Sequence, residues 1–242
     1  MPDADKSKKE KLTLDIGIQA ILEYEAQDLV STPEALCSAL GFPSVEAAPQ
    51  AVRETGLVSL KEARRLARPR VIYKVLRVEN VGSEGIAVQG LPALGSERLA
   101  AAFEGADDAV LFAATLGEDM DREIDRLGPD DLWGSFVLDA AAALMTDALA
   151  SRLRGDLEEA GQETGRLVGV RMGPGFCDWS VRDQAVLFDN LETERIGISL
   201  TGGAMMVPRK SLSGLIPLVG GGRTPGDPCI GCARTDCVYR GR

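Results

Sequence analysis

The sequence of 242 residues contains no histidine. That single absence removes histidine-based zinc sites, Ser-His-Asp and Cys-His catalysis, and any histidine ligand to a metal from this chain. Aromatic residues make up only 5% of it, against 45% hydrophobic residues and 27 glycines, a composition of ordinary globular proteins. Positive charge is in deficit: the formal net charge is −10, which argues against a nucleic-acid or anionic-membrane surface. No apolar run approaches the roughly 20 residues of a membrane span. Lys6, Lys8, Lys9 and Lys11 are not followed by the apolar core of a signal peptide, so the expected location is the cytoplasm. The length suits one large domain or two small ones.

What is present centres on Arg171-Met172-Gly173-Pro174-Gly175-Phe176-Cys177-Asp178-Trp179. An apolar strand-like run, 167–170, leads into it. Pro174 and Gly175 suit the second and third positions of a type II turn, where the glycine takes positive φ. Arg171 stands at the rim of that turn with a fork matched to a carboxylate. Ser180 and Asp183 read as a capping box that starts a helix facing the same place. From the residues alone this is either an ordinary structural turn or one wall of a small-molecule pocket.

Residues 1–12 are polar and expected to be disordered, 13–222 to form one α+β domain, and 223–242 to be a cysteine-containing tail. Strands are expected over 70–78, 86–88 and 110–114, with a further strand on Ile196, Ile198 and Leu200 continued by 204–207. Segment 212–219 is apolar. Helices are expected to open at Pro33 and to cover 59–67, 96–103 and 116–127. Residues 43–56 and the start of 14–30 are ambiguous. The clearest helix runs over 131–160, on Phe136, Ala140, Leu144, Leu149, Leu153 and Leu157. Asp147 lies beside that stripe, either as a solvated aspartate at its edge or as a ligand-binding carboxylate.

Cys229, Cys232 and Cys237 form C-x2-C-x4-C. The spacing brings thiolates to one metal and leaves a fourth position open, for which Cys177 is the candidate. Zinc, an iron–sulfur cluster and reduced free thiols all fit the spacing. Cys37 stands alone and reads as a small buried hydrophobe.

Arg-x-x-Pro-Gly-Phe-x-x-Trp followed by Asp183-Gln184 resembles the activation (reactivation) domain of cobalamin-dependent methionine synthase. The likeness continues through 196–201, Met206-Val207-Pro208 and Arg209-Lys210-Ser211, and 114–117 matches an Ala-Thr-Leu-Gly segment of its small stand-alone relatives. It is firm over about 110–240. The resemblance implies a twisted, mainly antiparallel sheet with packed helices. It implies reductive methylation of cob(II)alamin with S-adenosylmethionine, a part in methionine biosynthesis. The chain has no Asp-x-His-x-x-Gly corrinoid motif, so the cobalamin is expected on a partner, a corrinoid-carrying methyltransferase or methionine synthase core, with a reductant protein besides.

Carried over residue by residue, the resemblance puts Arg171 on the methionyl carboxylate and the backbone of Gly173, Pro174 and Gly175 along the adenosyl part. An acidic residue on the long helix holds the amino group; Asp147 matches that place, where the family usually has glutamate. Phe176 stands where the full-length enzyme has a tyrosine that manages water on the cobalt face; phenylalanine excludes water without hydrogen bonding. The stand-alone relatives usually carry glycine at the place of Cys177. The alternative is an electron-transfer or adaptor protein that docks a corrinoid protein through a metal-binding cysteine tail, without S-adenosylmethionine.

Overall fold

Segment 110–114 becomes the centre of the molecule, in strand β5 (Asp108–Thr115), every residue of which is buried. The computed structural model describes residues 12–29, 31–234 and 236–237. Of the expected disordered stretch 1–12, all but Leu12 lies outside them.

Before β5 come β1 (Gln19–Glu23), α1 (Pro33–Ala39), α2 (Gln50–Leu66), β2 (Arg70–Val81), β3 (Gly85–Val88), β4 (Leu94–Gly95) and α3 (Glu97–Ala102). After it come α4 (Asp119–Leu127), α5 (Leu132–Thr164), β6 (Leu167–Val168), α6 (Gln184–Phe188), β7 (Ser199–Leu200), β8 (Met206–Val207) and β9 (Ser211–Val219). The sheet order is β4-β3-β2-β5-β9-β6, with β1 also paired to β2, and every pairing of named strands is antiparallel. Phe112 stands opposite Tyr73 on one side and Gly214 on the other. The expected α+β class and mainly antiparallel sheet are the ones found.

Alternation splits the central strands between two cores. Val71, Tyr73, Val75, Val110, Phe112 and Ala114 pack with buried residues of α2, α4 and α5. Ile72, Leu76, Ala109, Leu111 and Ala113 pack instead with Leu99, Phe103, Met172, Trp179, Leu187 and Ile196. Both faces are covered, which is why β5 reads as a continuous apolar run rather than an alternating one.

Helix α5 is capped by Asp131, whose side chain accepts from the Gly134 N–H at 2.8 Å. It closes on Gly165 in the left-handed conformation, φ 68°. It is long and apolar enough to cross a membrane, but half of its most apolar window is buried in this domain. Each fully buried leucine of its inner face, such as Leu149, Leu153 or Leu157, contributes about 1.5–3 kcal/mol.

Four local expectations change. The helix read over 59–67 begins at Gln50, because Val52, Gly56 and Ser59 face inward with Leu60 and Ala63. The strand read on Ile196, Ile198 and Leu200 is a 3-10 turn (Thr193–Ile196) followed by the two-residue β7. Segment 204–207 does not continue the main sheet; β8 pairs only with β7, in a separate two-stranded ribbon. The capping box does not form either, for reasons that belong to the site.

Candidate functional site

The Arg171–Trp179 segment is held to the sheet at its first residues. Met172 and Leu215 exchange backbone hydrogen bonds of 2.9 and 2.8 Å, which lays the segment against β9. Gly214 permits this approach: a Cβ there would lie 2.1 Å from the Met172 carbonyl oxygen. Gly173 is buried for the same reason, with a Cβ position 2.9 Å from the Ser213 carbonyl oxygen.

The expected turn follows. The Phe176 N–H donates to the Gly173 carbonyl at 2.9 Å across Pro174 and Gly175, and Gly175 has φ 89°. Gly175 is exposed and Pro174 half-buried. The Gly175 N–H donates to the Trp179 carbonyl and the Trp179 N–H to the Phe176 carbonyl, at 2.9 and 3.0 Å, closing the loop on itself.

Trp179 is the anchor of this loop, 2% exposed, and its Nε1–H donates to Asp183 Oδ2 at 2.9 Å. That bond takes the Asp183 carboxylate away from the capping role read in the sequence. Ser180 Oγ accepts instead from the Arg182 N–H, at 3.2 Å, and a 3-10 turn (Val181–Asp183) leads into the five-residue α6. Buried Gln184 donates through Nε2 to Ser213 Oγ, a second tie to β9. In this structure Trp179, Asp183 and Gln184 are the supports of the loop.

Three residues singled out in the sequence come together above these supports. Arg171 Nη2 lies 3.4 Å from Asp147 Oδ1, which reaches it from the middle of α5. The Arg171 guanidinium carbon is also 5.7 Å from the centre of the Phe176 ring, within cation–π range. Arg171 is mostly covered, its side chain 21% exposed, while Asp147 is open to solvent at 53%. The site is thus a largely covered cation on an aromatic floor, flanked by an exposed anion. A zwitterionic amino-acid group matches it, carboxylate to Arg171 and ammonium to Asp147.

Asp178 is the member of the segment whose role the sequence did not reveal. Its carboxylate accepts from Ser96 Oγ at 2.6 Å, from the Glu97 N–H at 2.7 Å and from the Arg98 N–H at 3.3 Å. Burial alone would raise its pKa. The Ser96 hydroxyl and the Glu97 N–H outweigh burial and hold it below the ordinary carboxylate value. Ser96 before an apolar run marks a helix start, but no local signal gives a partner 82 residues away.

Cys177 follows Phe176 and points outward from the same loop, exposed and with φ 55°. Burial pushes its thiol above the ordinary value, and Cys232, Cys237, Asp178 and Cys229 push it the same way. All five cysteines of the chain are unbridged thiols. Among the described residues, no three His, Cys, Asp or Glu side chains are already gathered into a group that could hold a metal ion.

The matched Arg209-Lys210-Ser211 segment ties β9 to the helices and to β5. Arg209 Nη2 pairs with Asp125 Oδ1 at 2.6 Å, Lys210 Nζ with Asp139 Oδ1 at 2.8 Å, and Ser211 Oγ donates to Thr115 Oγ1 at 2.9 Å. A separate cleft of about 410 Å³ lies between α1 and α2, lined by Leu36, Cys37, Leu40, Val52 and Leu57 among others. It contains none of Arg171, Asp147 or Phe176.

An α+β domain with an antiparallel sheet, and an arginine-bearing strand-to-turn loop set against one long helix, is the class this architecture defines. A crystal structure of the MetH reactivation domain bound to AdoHcy has the same fold, with a TM-score of 0.61 and 15% identity, covering 93% of this chain and 86% of that one. The fold implied by the sequence resemblance is therefore the fold found. No protein-family model and no curated protein matches the sequence.

Proposed function

We propose that this chain binds S-adenosylmethionine at the Arg171–Asp147–Phe176 site and supports reductive methylation of cob(II)alamin held by a partner protein of the methionine synthase type. The observation that carries this reading is the meeting of Arg171 and Asp147 at 3.4 Å over Phe176. A methionyl zwitterion entering there exchanges one ion pair for two. The AdoHcy-bound state of the neighbour of the same fold supports a related ligand here.

The donor brings an electrophilic methyl group on a sulfonium, and a reductant protein brings one electron. No proton has to move at a protein atom, which agrees with a chain that has no histidine. The protein's part is to bind and orient. Arg171 fixes the carboxylate, Asp147 the ammonium, and the turn over Gly173, Pro174 and Gly175 borders the adenosyl part. Phe176 keeps water from the face presented to the partner. Nothing in the residue set offers a cobalt ligand of the histidine kind, so the cobalamin belongs to the partner. The chain acts as a cytoplasmic component of a methyltransferase system.

Calorimetric titration of the full chain with S-adenosylmethionine and S-adenosylhomocysteine tests this, with Arg171→Ala alongside. Binding by the wild type that the variant loses is the expected result. Absence of wild-type binding would move the reading to an electron-transfer or adaptor protein. That second reading is favoured by one observation, the docking of the cysteine tail on Arg98, whose backbone N–H also holds Asp178.

A further inference from the structure

The chain after β9, the expected cysteine-containing tail from 223, is fastened at successive points. Arg223 Nη2 reaches both Asp107 carboxylate oxygens, at 2.5 and 2.6 Å. Gly226 lies so close to α3 that a Cβ would sit 1.9 Å from the Ala101 carbonyl oxygen. Arg98 Nη1 donates to the Pro228 and Ile230 carbonyls, at 3.3 and 3.0 Å. Between and after these carbonyls run Cys229 and Cys232. The Cys232 N–H donates to the Cys229 carbonyl at 3.2 Å, and Gly231 has φ 69°. This is a tight C-x2-C turn that presents two thiols from one loop.

The other half of the arrangement is Cys177. Its neighbour Asp178 is bound to the start of α3 through Ser96, Glu97 and Arg98. Arg98 therefore holds the Asp178 carboxylate with its backbone N–H and the C-x2-C turn with its side chain. Two segments far apart in sequence are fixed to one residue. Cys229, Cys232 and Cys237 all lie within electrostatic reach of Cys177.

We infer that Cys177, Cys229, Cys232 and Cys237 form one metal site of four thiolates, joining the tail to the loop that carries Arg171 and Phe176. The inference goes beyond the proposed methyl-donor site and does not depend on it. Four thiolates suit a tetrahedral zinc ion or the four irons of a [4Fe–4S] cluster. Binding draws the tail thiols in toward Cys177 and releases their protons. A cysteine in the left-handed conformation is an unfavourable choice for a turn, and ligation gives it a reason.

The test is metal analysis of the full chain purified without oxygen from cells supplied with zinc and iron. It is joined by cobalt(II) titration of the metal-free protein, whose absorption reports tetrahedral thiolate coordination. The expected result is either about one zinc or about four iron with matching sulfide per chain; absorption in the visible separates the two. Cys177→Ser and Cys232→Ser are each expected to weaken cobalt binding at least tenfold, with far-ultraviolet circular dichroism unchanged. Cys37→Ala, in a different cluster, is expected to leave it intact. Metal-free protein that also fails to bind cobalt would overturn the site. Undiminished binding by Cys177→Ser would overturn the ligand set.

Discussion

Asp147 and Arg171, 24 positions apart in sequence, meet at 3.4 Å from a long helix and a strand-to-turn loop. In the ligand-free protein this half-exposed pair contributes little to stability, about 0–1 kcal/mol. Its expected weight is in binding. Loss of a well-desolvated Arg–carboxylate pair removes about 1.5–3 kcal/mol. Arg171→Ala is thus expected to weaken S-adenosylmethionine binding about tenfold or more, with the melting temperature nearly unchanged. A variant that melts early and binds normally would make Arg171 a structural residue.

Asp147→Asn keeps the shape and removes the charge. It is expected to weaken S-adenosylmethionine while sparing a desamino analogue that lacks the ammonium group. Equal loss for both ligands in calorimetry would detach Asp147 from the amino group.

The Asp178 carboxylate at the start of α3 makes stability depend on acid. Its folded pKa lies below the ordinary value, near 3.9 for an unfolded aspartate. Its contribution is therefore complete above the unfolded value and disappears as pH falls through the folded one. Asp178→Ala is expected to cost about 1 kcal/mol at neutral pH, as loss of a helix cap does. In urea titrations the gap between variant and wild type should close in strong acid.

Two glycines separate packing from turn geometry. Gly214→Ala drives a methyl group into the Met172 carbonyl, 2.1 Å away, and should unseat the Arg171 segment from β9. Gly175→Ala meets only the Val181 side chain at an ordinary contact of 3.8 Å but must adopt φ 89°, at a cost of about 1–2 kcal/mol. Gly214→Ala is therefore expected to lower the melting temperature by far the more. The reverse order would contradict the seating of this loop on β9.

Much of this arrangement could be read from the residues. The β-branched run at 70–78, the three- and four-residue steps of 131–160 and the Pro174-Gly175 turn are local signals, and each formed where expected. The stripe put Asp147 at the edge of α5, and the family resemblance singled it out there; in the structure it meets Arg171. What escaped has more than one cause. The Ser180–Asp183 box was lost to the Trp179 indole, which binds Asp183 first. The first half of α2 was obscured because its bulkiest residues face outward. Leu57 and Val58 are 59% and 68% exposed, while Gly56 and Ser59 face the core. The seat of Asp178 on Ser96 and the docking of the tail on Arg98 have no local signal.

Arg98 has a dynamic consequence. Its backbone answers to the loop before Trp179 and its side chain to the tail, so neither segment loosens alone. Asp178 shelters the amides of Glu97 and Arg98, and the tail leans on the same helical turn. In hydrogen exchange these amides are expected to report one opening event shared by both segments. A ligand that settles either segment slows exchange in the other.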